Sequence, residues 1–107
     1  MRYLMTTNAH SAVPDEKLFA EMGAFIEELT ASGVLLATGG LAAESILVSS
    51  EGEEITVTDG PFAEAKEAVA GFALVEVRSP EEAVELARRF RRIVGDGQSR
   101  LQQVFTG

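Results

Sequence analysis

Phe72-Ala73-Leu74-Val75-Glu76-Val77 restricts the fold more than any other segment, because its side chains are apolar at every position but Glu76. In an extended chain successive side chains point to opposite faces, so this strand is apolar on both. Such a run is normally buried on both sides. Two layers of cover are therefore needed, and the rest of the chain must be searched for them.

One layer is legible as two amphipathic helices. Leu18, Met22, Phe25, Ile26 and Leu29 recur at helical spacing and predict a helix over Pro14–Ser32. Pro14 suits the first helical position, Asp15 and Glu16 fall in the first turn, and Gly33 stops it. The second helix opens on Ser79-Pro80-Glu81-Glu82. In this capping box Ser79 bonds the third amide and Glu82 reaches back. Its inner stripe is Ala83, Leu86, Ala87, Phe90 and Val94, and Gly95 and Gly97 end it. Arg88, Arg89, Arg91 and Arg92 gather at its negative end, which explains them without a ligand, although such a group also suits an anion.

Strands are predicted at Arg2–Thr7, Val34–Thr38 and Arg100–Phe105, and a hairpin joins Ile46–Ser49 to Glu54–Val57 through the polar turn Ser50–Glu53. Gly39-Gly40 marks a bend or the close approach of another backbone. The order strand, helix, strand, hairpin, strand, helix, strand predicts one α+β domain over residues 1–107. It is a ferredoxin-like plait with an additional β-hairpin and two helices on one face of a mainly antiparallel sheet. No helix remains for the second face, so a second copy of the chain is the expected cover. The prediction is a homodimer packed sheet to sheet, with small pockets at its seam.

Charge and composition exclude several function classes. The chain has 17 acidic and 9 basic residues, a formal charge of −8. That opposes binding to nucleic acid or to an anionic membrane surface. There is no cysteine and one histidine, which removes disulfides, thiolate metal sites, a cysteine nucleophile and a multi-histidine metal site within one subunit. No metal or cofactor is expected. No apolar run approaches a membrane span, and Met1–Asn8 turns polar too soon for a signal peptide. The expected location is the cytoplasm.

Chemistry centres on Asp59-Gly60-Pro61-Phe62-Ala63-Glu64-Ala65-Lys66-Glu67, which begins with three turn formers in a row. Asp59 has two readings: a general acid or base (or a ligand acceptor) held at a strand end, or a turn residue bonding its own backbone. Glu64, Lys66 and Glu67 read either as pocket residues or as a solvated face with weak ion pairs. His10, in the loop after the first strand, titrates near neutral pH and is either a catalytic partner or merely exposed. A ligand pocket is expected among Tyr3, Met22, Gly40, Asp59, Pro61, Phe62 and Lys66.

That nine-residue stretch resembles the YCII-related proteins, in the branch named for its Asp-Gly-Pro-Phe motif. The likeness extends through Met1–Met5, Gly23–Leu29, Gly33–Leu35, Gly39-Gly40-Leu41 and the Gly71-Phe72 strand. It implies a dimeric α+β barrel of ferredoxin-like type. It further implies a cleft with a histidine on the first helix paired with an aspartate, relatives that are lyases or dehalogenating enzymes on small organic acids, and a functional link to a sigma factor. Here the histidine position is Met22, and a thioether transfers no protons at neutral pH. The first expectation is therefore a ligand-binding or regulatory homodimer with a small-molecule pocket near Asp59. The alternative is a weak lyase or hydrolase on a small organic acid using Asp59 with His10 or Lys66. A third reading is a protein partner of a transcription component.

Overall fold

The computed structural model describes residues 1–8, 13–60 and 69–106. In chain order the elements are β1 (Arg2–Thr7), α1 (Glu16–Ala31), β2 (Leu35–Gly40), β3 (Ser45–Glu51), β4 (Glu54–Gly60), β5 (Gly71–Glu76), α2 (Pro80–Val94) and β6 (Ser99–Val104). Four strands form an antiparallel sheet in the order β2-β5-β1-β6, and β3 pairs with β4 in a separate two-stranded ribbon. This is the ferredoxin-like plait with its extra hairpin, as the order of elements predicts.

Register decides what each face carries. Met5 lies opposite Ala73 and Leu101, and Tyr3 opposite Val75, so these side chains share one face of the sheet. That face takes the helices. Met5, Ala73, Leu18, Phe25, Leu29, Phe90 and Val94 form one buried cluster, and Val75, Val77 and Ala83 a second. Burying a side chain of the Leu or Phe size contributes about 1.5–3 kcal/mol, so these two clusters dominate the fold's stability. The alternate positions, Leu4 opposite Leu74 and Thr6 opposite Phe72, lie on the other face and are half-buried at its centre. The strand that is apolar on both sides is thus covered on one side by its own helices.

Local chemistry ends the helices. Ser79 Oγ accepts the Glu82 amide at 3.2 Å, and α2 stops at Gly95, whose φ of 82° suits glycine. Helix α1 starts at Glu16, two residues later than Pro14 at the first helical position would require. Asp15 is instead its N-cap, with Oδ1 accepting the Leu18 amide at 2.8 Å. A cap carboxylate satisfies an orphan amide that a first-turn position leaves to solvent. Between the helices, Arg89 donates to both Glu28 carboxylate oxygens, at 2.8 and 2.9 Å, while its guanidinium lies 4.8 Å from the centre of the Phe25 ring. The hydrogen bond from Arg89 holds the Glu28 carboxyl below its ordinary pKa and raises that of Arg89.

Gly39 and Gly40 do not bend the chain; they complete β2, opposite Phe72 and Gly71. The close approach is real and involves a side chain. A Cβ on Gly39 would stand 3.0 Å from the Phe72 ring, which lies across that glycine. The hairpin runs longer than the Glu54–Val57 and Ile46–Ser49 prediction, to Gly60 and from Ser45. Every residue from 45 to 59 is exposed. The radius of gyration, 16.0 Å, exceeds the roughly 13 Å of a compact chain of this length because the ribbon projects from the body.

Candidate functional site

A cavity of about 440 Å³ lies between the helix layer and the sheet. That is within the ordinary range for a small-molecule pocket. Helix α1 contributes Phe19, Met22 and Ile26 from the edge of its apolar stripe, because residues three and four apart share a face. The sheet contributes Thr38, Gly39, Ala70, Gly71 and Phe72 at one end, where three residues with little or no side chain leave the space open. Phe90, Leu86 and Leu101 close the far wall.

The described lining residues include no ionisable side chain, and their polar groups are the hydroxyls of Thr7 and Thr38. Both hydroxyls already have partners. Thr38 donates to the Phe72 carbonyl at 2.9 Å, and Thr7 donates to the Gln98 carbonyl at 3.1 Å while accepting from Arg91 Nη1 at 2.8 Å. The walls therefore offer contact with apolar surface and little else.

Of the residues expected to form a pocket, Met22 lines this cavity, half-buried on α1. Gly40 ends β2 beside it, and its neighbour Gly39 forms the wall. Tyr3 faces the helices and packs with the Val75, Val77 and Ala83 cluster, two members of which, Val75 and Ala83, line the cavity; Tyr3 itself stands behind that wall. Asp59 is elsewhere. It is a strand residue of β4, opposite Ile46, exposed, and its carboxylate has no partner among the described residues. The expected Asx turn gives way to ladder pairing, which extends one residue beyond Asp59 to the Gly60–Ser45 pair. Met22 and Asp59 thus occupy different parts of the molecule. His10, Pro61, Phe62 and Lys66, with Glu64 and Glu67, lie outside the described residues.

A second hollow, wider and shallower at about 1130 Å³, runs between α2 and β6 and is lined by Arg88, Arg91, Arg92 and Arg100. Arg91 forms its floor by bonding Thr7 and, through Nη2, the Gly95 carbonyl at 2.8 Å. Arg88 and Arg92 approach Glu85 at 3.5 and 3.7 Å. The helix-end position explains the arginines' sequence, but their side chains also make a basic groove. Phe19, Thr38 and Phe72 are cavity residues that the sequence shows only as core or strand. Their one sequence-level signal is the set of glycines, Gly39 and Gly71, that leaves room beside them.

No helix among the described residues is long and apolar enough to cross a membrane. The fold and the cavity define a small α+β plait with an apolar interlayer pocket. The chain belongs to the YCII-related domain family, which matches residues 1–100. An uncharacterised protein of Rhizobium meliloti (strain 1021) is 38% identical over 85 residues, spanning 77% of this chain and 68% of that protein. Among solved structures, 5-chloro-2-hydroxyhydroquinone dehydrochlorinase (TftG) from Burkholderia phenoliruptrix AC1100, in complex with 2,5-dihydroxybenzoquinone, aligns with a TM-score of 0.49 at 15% identity. The alignment covers 100% of this chain and 96% of that one.

Proposed function

We propose that this protein is a homodimeric, cytoplasmic binder of a small and largely apolar molecule, with a ligand-binding or regulatory role. The observation that carries the reading is the interlayer cavity, roomy enough for a ligand, with Met22 in its wall and no ionisable group among its described lining residues. General acid–base work needs a titratable group within hydrogen-bond reach of the reacting atom. Membership of the Asp-Gly-Pro-Phe branch and a functional link to a sigma factor belong to the same proposal.

The experiment is NMR on protein labelled at methionine methyls, titrated with small aromatic and aliphatic carboxylic acids and their neutral analogues. Selective shifts at the methyls of Met22 and Met5, both in the cavity wall, are expected, with the Met5 shift abolished in Met22→Trp while the circular dichroism of the fold is retained. A Met22 methyl that no compound moves overturns the reading.

One observation favours the second reading, a weak lyase or hydrolase using Asp59 with His10 or Lys66. The described residues that flank those two stretches of sequence, Asn8 and Ala70, both stand at one end of the sheet. There Ala70 donates to the Thr7 carbonyl at 2.7 Å and Asn8 to the Gln98 carbonyl at 3.2 Å. Turnover of any bound acid that disappears in Asp59→Asn would decide for this reading.

A further inference from the structure

The β3–β4 ribbon has two unlike faces. Its register sets Ile46 opposite Asp59, Val48 opposite Val57 and Ser50 opposite Ile55. Side chains alternate along a strand, so these residues share one face, while Ser49, Thr56 and Thr58, with Leu47 as the one aliphatic residue among them, point to the other. The four aliphatic residues of the first face are 62–69% exposed. A two-stranded hairpin alone is marginally stable in water, and a contiguous exposed apolar face marks an interaction surface.

The described body of the same chain presents a matching surface. Leu4 and Leu74 stand on the sheet face opposite the helices, with Phe72, which also reaches the end of the cavity beside Gly39, at their edge. The charges match as well. Residues 41–60 contain Glu44, Glu51, Glu53, Glu54 and Asp59 and no lysine or arginine. None of these carboxylates forms an ion pair among the described residues. Four of the chain's nine cations, Arg88, Arg91, Arg92 and Arg100, line the groove beside β6. Copies with a charge of −8 repel unless opposite charges are placed face to face.

Dimensions permit the contact. Strands of seven residues reach about 23 Å. The four-stranded sheet measures roughly 14 Å from first to last strand. A ribbon laid across that sheet therefore brings its tip to β6.

We propose that the ribbon is an arm that clasps a second copy of this chain. Its apolar face lies on the sheet face that the partner's helices leave free, and its acidic tip, Glu51 to Glu54, enters the partner's arginine groove. This deepens the homodimer reading above and rests on it. Asp59, on the apolar face at the ribbon's root, is then delivered to the dimer seam by the arm, so each seam site is completed in trans.

Sedimentation velocity over a wide concentration range tests the arm. The wild-type chain is expected to dimerise. Val48→Lys with Val57→Lys should weaken the dimer by about 100-fold or more, since both side chains sit at the centre of the apolar contact. Because those changes could unfold the ribbon itself, the tip is tested separately. Reversal of Glu51, Glu53 and Glu54 to lysine should cost roughly 10-fold at low salt. Adding Arg88→Glu and Arg92→Glu to the reversed tip should restore most of the loss. A wild-type dimer indifferent to both sets overturns the arm and leaves the homodimer standing. A wild-type monomer at every concentration overturns both, and the Met22 titration then judges ligand binding on its own.

Discussion

The plait and the ribbon are made of strands of similar length and similar apolar content, yet their side chains meet opposite fates. In β5, Ala73 and Val75 are buried under two helices. In β4, Ile55 and Val57 alternate just as regularly and remain about two-thirds exposed. Alternation determines that a strand has an apolar face, but burial depends on what the chain carries to that face. The body carries two helices to its sheet; no described element is brought to the ribbon. The proposed arm would give the ribbon the cover that the body's sheet takes from its own helices.

The strongest way to break that contrast is a pair of truncations. Phe25→Ala should destabilise the body by about 3–5 kcal/mol in urea unfolding, because Phe25 is buried in the main cluster. Ile55→Ala, at protein concentrations dilute enough to hold the monomer, should change the same transition by no more than roughly 0.5 kcal/mol. Equal effects would show that the ribbon belongs to the body's core.

A smaller effect probes the glycine beside the cavity. Gly39→Ala places a methyl 3.0 Å from the Phe72 ring and should cost about 1–3 kcal/mol. In a Phe72→Leu background most of that cost should vanish, a double-mutant cycle in which additivity would refute the contact. The caps follow. Asp15→Ala and Ser79→Ala should each cost about 1 kcal/mol by thermal or urea unfolding, with unchanged effects in any ribbon variant.

The smallest effect belongs to the helix staple. Glu28 titrates below its ordinary value of 4.5 in the fold, so its contribution is present above that pH and lost as the pH falls through the folded pKa. Glu28→Gln should lower the melting temperature slightly at neutral pH, and parent and variant should converge in acid. A difference that persists unchanged below that range would assign the effect to packing against Phe25.

Much of the body is legible residue by residue. Ser79 and Glu82 announce α2 because a cap is a contact over three residues, and the stripe from Ala83 to Val94 needs only helical periodicity. Asp15 was harder, since a proline and two acids in succession fit a first turn as well as a cap. The turn residues Asp59 and Gly60 are in β4 because their pairing partners, Ile46 and Ser45, lie across the ribbon, beyond the reach of local rules. The cavity was not legible. Met22, Phe25 and Ile26 belong to one stripe, and only the separation of the helix layer from the sheet decides which of them meet empty space.

By itself the sequence determined the elements, most of their caps and the apolar character of each face, because these follow from hydrogen bonds and periodicities within a few residues. The tertiary structure alone decided that β5 lies between β1 and β2, that Arg91 reaches back to Thr7, and that Asp59 stands on a ribbon apart from Met22. Those facts join residues tens of positions apart, and register and packing choose such contacts.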